Sequence, residues 1–234
     1  MFPRSSAELD RLDVQHYAVR ETMGANQLAP VDSPALVLDA GSGSGQWAYD
    51  ACRQFEDAVV VGLDLEPSTP PRPERYRFVR ANLLEGLPFA GDTFDFAHQR
   101  LLISGIPLQS WAPAVAELVR VTRPGGWVEL VEGAPWIDRA GPATERLCDL
   151  LCQLARMRGL DSTGIVFRSL RRYLESAGAT DVEEQALAVP IGTWGGQAGL
   201  FMATSYRAMF HRLSPVFTAR LGLPEEECRD LVAA

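Results

Sequence analysis

Asp39 stands at the tip of a short apolar run, Leu36, Val37 and Leu38, and Gly41, Gly43 and Gly45 follow it in alternation with serine. Such a run reads as a strand buried on both faces of a parallel sheet. Glycine reaches positive φ without strain and lets a ligand lie against bare backbone. A helix starting after the third glycine aims its free N–H groups, and the positive end of its dipole, at the same point. The turn is built to hold a small polar or anionic group. A dinucleotide wants G-x-G-x-x-G or G-x-G-x-x-A there. Counted from Gly41 that pattern fails at Gln46; counted from Gly43 it is met by Gly45 and Ala48. The acid at the strand tip favours another ligand, because a carboxylate repels pyrophosphate and attracts an amino group. A glycine turn with no ligand is the bland alternative.

Asp64 ends a second apolar run at 58–64. In a βαβ unit that position sets a carboxylate beside the ribose of a bound nucleoside, where it can accept from both hydroxyls of the diol. Capping a strand-to-loop turn is its structural alternative. Asn82 and Gln99 fall at the ends of two more predicted strands. Asp39, Asp64, Asn82 and Gln99 then share one rim.

The elements that must position these residues start with a helix over 8–23, ended by Gly24. Leu9, Leu12, His16, Val19 and Met23 recur on it at spacings of three and four. Tyr17 and Arg20 share a neighbouring face. The helix precedes the first strand, so it reads either as a lid over the site or as a packing helix with His16 satisfied in the core. Next come a helix over 46–55, a strand over 58–64, a proline-rich loop at 67–73 and a strand over 76–79. A strand ending near 99, a helix over 110–121, a type II turn at Pro124 and Gly125, and a strand over 127–131 complete the repeat. Repetition of this kind means an α/β fold with a mostly parallel sheet and helices on both faces. Ligands bind at the carboxyl ends of its strands, where strand order reverses. Beyond it, the pattern predicts helices over 143–157, 167–177, 200–213 and 224–234, and a sixth strand over 181–191. No seventh strand is visible.

The chain has 234 residues, 47% of them apolar, enough for one core and one domain. A net charge of −8 argues against nucleic acid and anionic membrane as partners. All 22 basic side chains are arginine, which excludes lysine-dependent Schiff-base chemistry and a Walker-type phosphate loop. Cys52, Cys148, Cys152 and Cys228 show no zinc-like spacing, and no metal is expected. No signal peptide or membrane-length apolar run is seen, so a soluble cytoplasmic protein is expected.

Taken together, Asp39 with Gly41, Gly43 and Gly45, Gly62 with Asp64, Asn82 with Leu87–Phe89, Thr93–Phe96, and Arg123–Gly126 resemble the class I S-adenosylmethionine-dependent methyltransferases over residues 8–135. The lead-in 11–16 resembles a small-molecule subgroup in bacteria and fungi related to fungal regulators of secondary metabolism. The resemblance implies a Rossmann-like core at 35–135, an N-terminal lid helix and loop at 1–34, and acceptor-side helices and sheet completion at 136–234. It implies S-adenosylmethionine as cofactor and S-adenosylhomocysteine as product. Asp39, Ser42 and the backbone of Gly41, Gly43 and Gly45 would face the methionine part. Asp64 would hold the ribose, with Leu65, Asn82 and Leu83 around the adenine. Gln99 and Arg100 would lie near the sulfonium and the lid, and Tyr17 and Arg20 are candidates for the methionine carboxylate. The sequence offers no decisive base: His16 on the lid helix is the best candidate, His211 and Glu132 are others, and His98 belongs to a strand. Trp136, Phe201, Met202, Tyr206, Met209 and Phe210 would line an acceptor pocket, or are plain core. The expected acceptor is a small, apolar or aromatic metabolite, taken by a monomer or homodimer. An NAD-dependent oxidoreductase, a non-catalytic cofactor- or partner-binding protein, and an enzyme using the same fold for other chemistry are the alternatives.

Overall fold

The computed structural model describes residues 5–67 and 72–233. Most of the proline-rich segment at 67–73, and residues 1–4, lie outside the described residues. Among the described residues, five parallel strands form one sheet: β1 (Leu36–Ala40), β2 (Val59–Asp64), β3 (Tyr76–Arg80), β4 (Phe94–Arg100) and β5 (Thr122–Val131). Their order is β3-β2-β1-β4-β5, so the direction of winding reverses between β1 and β4. The glycine turn follows β1 at that point.

Side chains alternate along each strand, and each face is apolar for its own reason. Val37, Val60, Tyr76 and Phe96 face α2 (Gln46–Gln54) with Trp47 and Ala48. Leu38, Ala40, Val61, Leu63 and Ala97 face α3 (Trp111–Val121), and Leu170, Tyr173 and Leu174 of α5 (Leu170–Ser176) close that side. A smaller core joins α4 (Pro142–Met157), α6 (Gly196–Leu221) and α7 (Glu225–Ala233) through Leu147, Leu150, Phe210, Leu213, Phe217 and Val232.

Helix α1 (Ser6–Met23) is capped by Ser5, whose Oγ accepts from Glu8 N at 3.3 Å, and ends at Gly24 in the left-handed region. It packs along α6. The predicted apolar stripe accounts for only part of that contact: Val19 and Ala18 meet Met202, but Glu8 and Arg11 are buried too. Arg11 grips Glu8 at 2.8 and 2.9 Å and donates to Ser205 Oγ of α6 at 3.0 Å. A periodicity count that scores only apolar residues passes over such a buried ion pair.

Three expectations need correction. Residues 181–191 form no strand; 183–189 are exposed coil, tethered at their start where Arg171 Nη1 donates to the Val182 carbonyl at 2.6 Å. Alternating apolar residues there have no described strand to pair with, and a strand without a ladder is not stable alone. The Pro124–Gly125 turn does not precede β5 but lies within it. Gly125 has the φ of +76° that a type II turn requires, and the ladder skips from Phe94–Thr122 to Phe96–Trp127 around it. Helix α6 also runs past the predicted stop before Pro215, which it contains.

Candidate active site

All three turn glycines are left-handed, at φ +75° for Gly41, +56° for Gly43 and +90° for Gly45. A Cβ on Gly41 would sit 2.6 Å from the Leu102 methyls. The turn is thus pressed against the segment that follows β4. Gly41→Ala is expected to cost about 1–2 kcal/mol of stability, from the left-handed penalty and the displaced leucine, as a lower melting temperature shows.

Asp64 reaches the same turn from β2. Its Oδ2 accepts from Gly43 N at 2.8 Å and its Oδ1 from Leu65 N at 2.7 Å. Leu65 is half-buried beside it. Asn82 caps a short 3-10 turn: Oδ1 accepts from Leu84 N at 3.1 Å and Nδ2 donates to Glu85 at 2.8 Å. Leu83 is buried in the core next to it. Helix α1 lies across the turn, with Leu12 3.5 Å from where a Gly43 Cβ would stand and Asp13 accepting from Gln46 Nε2 at 3.3 Å.

Asp39 is 3% exposed. Its Oδ1 meets His98 Nδ1 at 3.0 Å, and its Oδ2 has no partner among the described residues. The Ser42 hydroxyl is likewise buried and unpartnered. Three glycines that leave room along the backbone, an orphaned buried carboxylate oxygen and a second acid at the end of β2 fit a nucleoside that carries an amino group.

The period of two separates residues that the sequence reading grouped. Gln99 and Arg100, placed together near the sulfonium and the lid by the resemblance, point to opposite faces. Gln99 is held by Glu132 just past β5, whose carboxylate also accepts from Leu102 N at 2.7 Å and Ile103 N at 3.2 Å. Burial pushes the Glu132 carboxyl up to about 7, against those three hydrogen bonds. Its folded value is raised above the ordinary 4.5, so its stabilising contribution is complete below that value and is lost as pH rises through about 7. Wild type is expected to lose stability across this interval, and Glu132→Gln to flatten that slope in melts recorded at several pH values.

Arg100 is on the other face, toward α1. Its Nη2 lies 2.7 Å from His16 Nδ1. A guanidinium can only donate, so Nδ1 accepts and the Nε2–H of His16 donates to Asp50 Oδ2 at 3.0 Å. Burial pushes His16 below its usual value; the Asp50 bond opposes this and the Arg100 charge adds to it. Burial also lowers Arg100 to about 10, resisted by Asp39, Glu129 and Asp50. Asp50 takes Arg20 and Arg53 as well, each at 2.6 Å. Tyr17 and Arg20 therefore line a cleft of about 400 Å³ with Asn26, Asp50, Arg53 and Gln54. His211 is exposed on α6.

Asp50 and Glu129 were not singled out from the sequence. Asp50 lies one turn inside α2, where its one signal is a charged residue on the face that carries Trp47 toward the core. Among the described residues, no group of three or more His, Cys, Asp or Glu could hold a metal, and no helix is long and apolar enough to cross a membrane.

Residues 37–126, from β1 to the bulge of β5, match the family described as a methyltransferase domain. A methyltransferase of Strobilurus tenacellus, str3, is 31% identical over 196 residues, which are 80% of this chain and 69% of that protein. This chain is a class I S-adenosylmethionine-dependent methyltransferase. The N-methyltransferase gliN of Aspergillus fumigatus is also 31% identical, over 79% of the methyltransferase and 69% of the relative. The chain spans about two thirds of either relative's length. Among solved structures, human N-acetylserotonin methyltransferase in complex with S-adenosylmethionine superposes with a TM-score of 0.51 at 17% identity, over 76% of this chain and 52% of that one. That likeness is one of fold. The cofactor is S-adenosylmethionine, and the orphaned Asp39 oxygen beside the glycine turn suits its amino group.

Proposed function

We propose that this methyltransferase moves its methyl group to the oxygen or nitrogen of a small apolar or aromatic metabolite. The observation that carries the proposal is an apolar layer beside the rim. Met202, Phe201 and Tyr206 of α6 meet Ala18, Val19 and Met23 of α1 there, together with Leu101. Leu101 directly precedes Leu102, which presses on Gly41. An acceptor seated against this cluster would meet apolar surface. Met209 and Phe210 belong instead to the core of α4, α6 and α7, and Trp136 is partly exposed under the Arg168 guanidinium.

S-adenosylmethionine supplies an electrophilic methyl group on a sulfonium. The residues that hold it in this proposal are Asp39, Ser42 and the backbone of Gly41, Gly43 and Gly45 at the methionine end, Asp64 at the ribose, and Leu65, Asn82 and Leu83 at the adenine. Tyr17 and Arg20, the latter released from Asp50, take the methionine carboxylate. Aligning two reactants is worth roughly 7–11 kcal/mol, so positioning carries most of the work. Both nitrogens of His16 are engaged and Glu132 already accepts three hydrogen bonds. An acceptor that loses its proton readily, or an amine, suits such a site better than an unactivated alcohol.

Calorimetric titration with S-adenosylhomocysteine and with NAD, followed by a screen of small aromatic amines and phenols for labelled methyl, tests the proposal. Binding of the homocysteine and labelling of a small molecule are expected. Labelling of protein or nucleic acid alone overturns the acceptor class, and binding of NAD alone overturns the assignment of the site residues.

A further inference from the structure

Asp39, His98 and Glu129 are direct neighbours in register on β1, β4 and β5, and they point to the same face. They form a buried row of acid, imidazole and acid. His98 is 1% exposed and lies flat on the Trp47 indole, with centroids 3.6 Å apart and planes 2° from parallel. That stacking fixes the plane of the imidazole. Its Nδ1 is 3.0 Å from Asp39 Oδ1, and its Nε2 is 4.0 Å from Glu129 Oε1. Glu129 is fixed in turn, because its Oε2 accepts from Leu28 N and Ala29 N at 2.7 Å each. A buried carboxylate with two equivalent oxygens and a free χ2 would otherwise turn. Here one oxygen is pinned and the other, Oδ2, is left buried and unpartnered.

We propose that His98, held in plane by Trp47, is a positioning residue that holds Asp39 with Oδ2 turned to receive the amino group of the cofactor. The inference rests on the reading of Asp39 as a methionine-end residue. His98 does not touch the cofactor; it acts through Asp39, by donating Nδ1–H to Oδ1.

The chemistry of the two amides separates this role from simple packing. In His98→Asn, Nδ2 stands close to where Nδ1 was and can still donate to Asp39. In His98→Gln, the amide reaches toward the former Nε2 and leaves Asp39 unheld. Both are polar and neither fills the space under Trp47. The dissociation constant of S-adenosylhomocysteine, by calorimetry, is expected to rise about tenfold in His98→Gln, the loss of one charge-assisted hydrogen bond, and to stay within about threefold of wild type in His98→Asn, which retains that bond. In an Asp39→Ala background, His98→Gln is expected to have no further effect. Equal losses in the Asn and Gln variants, or an undiminished effect of His98→Gln without Asp39, overturn the proposal while leaving Asp39 at the site. An Asp39→Ala protein that binds like wild type overturns the assignment of Asp39 and the row with it. Melting temperatures show which variants are folded, and where His98→Gln is not, His98→Leu, which also lacks the donor to Asp39, takes its place with the same expected loss.

Discussion

Asp64→Ala is expected to weaken binding of S-adenosylhomocysteine by about 100-fold or more and to leave the melting temperature within a few degrees of wild type. The carboxylate is half-exposed at the end of β2, so no large buried surface is lost with it. What is lost locally is the set of hydrogen bonds from Gly43 N, Leu65 N and, at 3.4 Å, Glu66 N, at a net cost of about 1 kcal/mol each or less in a site open to water. With the nucleoside bound, the same carboxylate is proposed to accept from both ribose hydroxyls. Hydrogen bonds to a charged group are worth about 1.5–3 kcal/mol each, and two of them give the stated factor. Asp64→Asn keeps one acceptor oxygen and is expected to fall between the two. Calorimetry on the three proteins checks the series. An alanine variant that binds within twofold of wild type would show that Asp64 serves the turn and not the sugar.

The glycine turn and the acids beside it were legible because their information is local. A glycine at φ +75° or +90° next to a strand-ending acid is written in consecutive residues. The spacing from Gly45 to Asp64 is likewise fixed by one helix and one strand. What stayed hidden is what the sheet assembles across strands. His98 reads in sequence as one more strand residue, and Glu129 as an acid in an apolar run. Only the order β1-β4-β5, with Asp39 opposite His98 and His98 opposite Glu129, makes them a row. Gln99 and Arg100 show the same limit from the other side. They are adjacent in sequence, yet one serves Glu132 and the other α1. The failed sixth strand has a third cause. Residues 181–191 have strand-like alternation, but a strand is made by its partner, and the described sheet ends at β5.

Arg100→Met is expected to be the most destabilising of the substitutions considered, at about 3–5 kcal/mol, the usual cost of leaving buried charges uncompensated. In a chain of this size that lowers the melting temperature by on the order of 10 °C. Three carboxylates, Asp39, Glu129 and Asp50, act on the Arg100 guanidinium. Asp39 and Glu129 are about nine-tenths or more buried in their side chains, and His98 lies 3.0 and 4.0 Å from them. His16 loses the donor to Nδ1 at the same time, so the bridge from β4 through α1 to α2 opens at its centre. Arg20→Met removes a charge from the same cluster, but its side chain is 47% exposed; the expected cost is below about 1 kcal/mol. Arg100→Lys keeps the charge and loses the planar fork that reaches His16 while facing the acids, so an intermediate loss is expected. Thermal melts rank the three variants. Limited proteolysis at Tyr17 reads whether α1 has loosened from the sheet. Equal melting temperatures for Arg100→Met and Arg20→Met would mean that α1 is held by its contacts with α6, and that the bridge to the cofactor face contributes little.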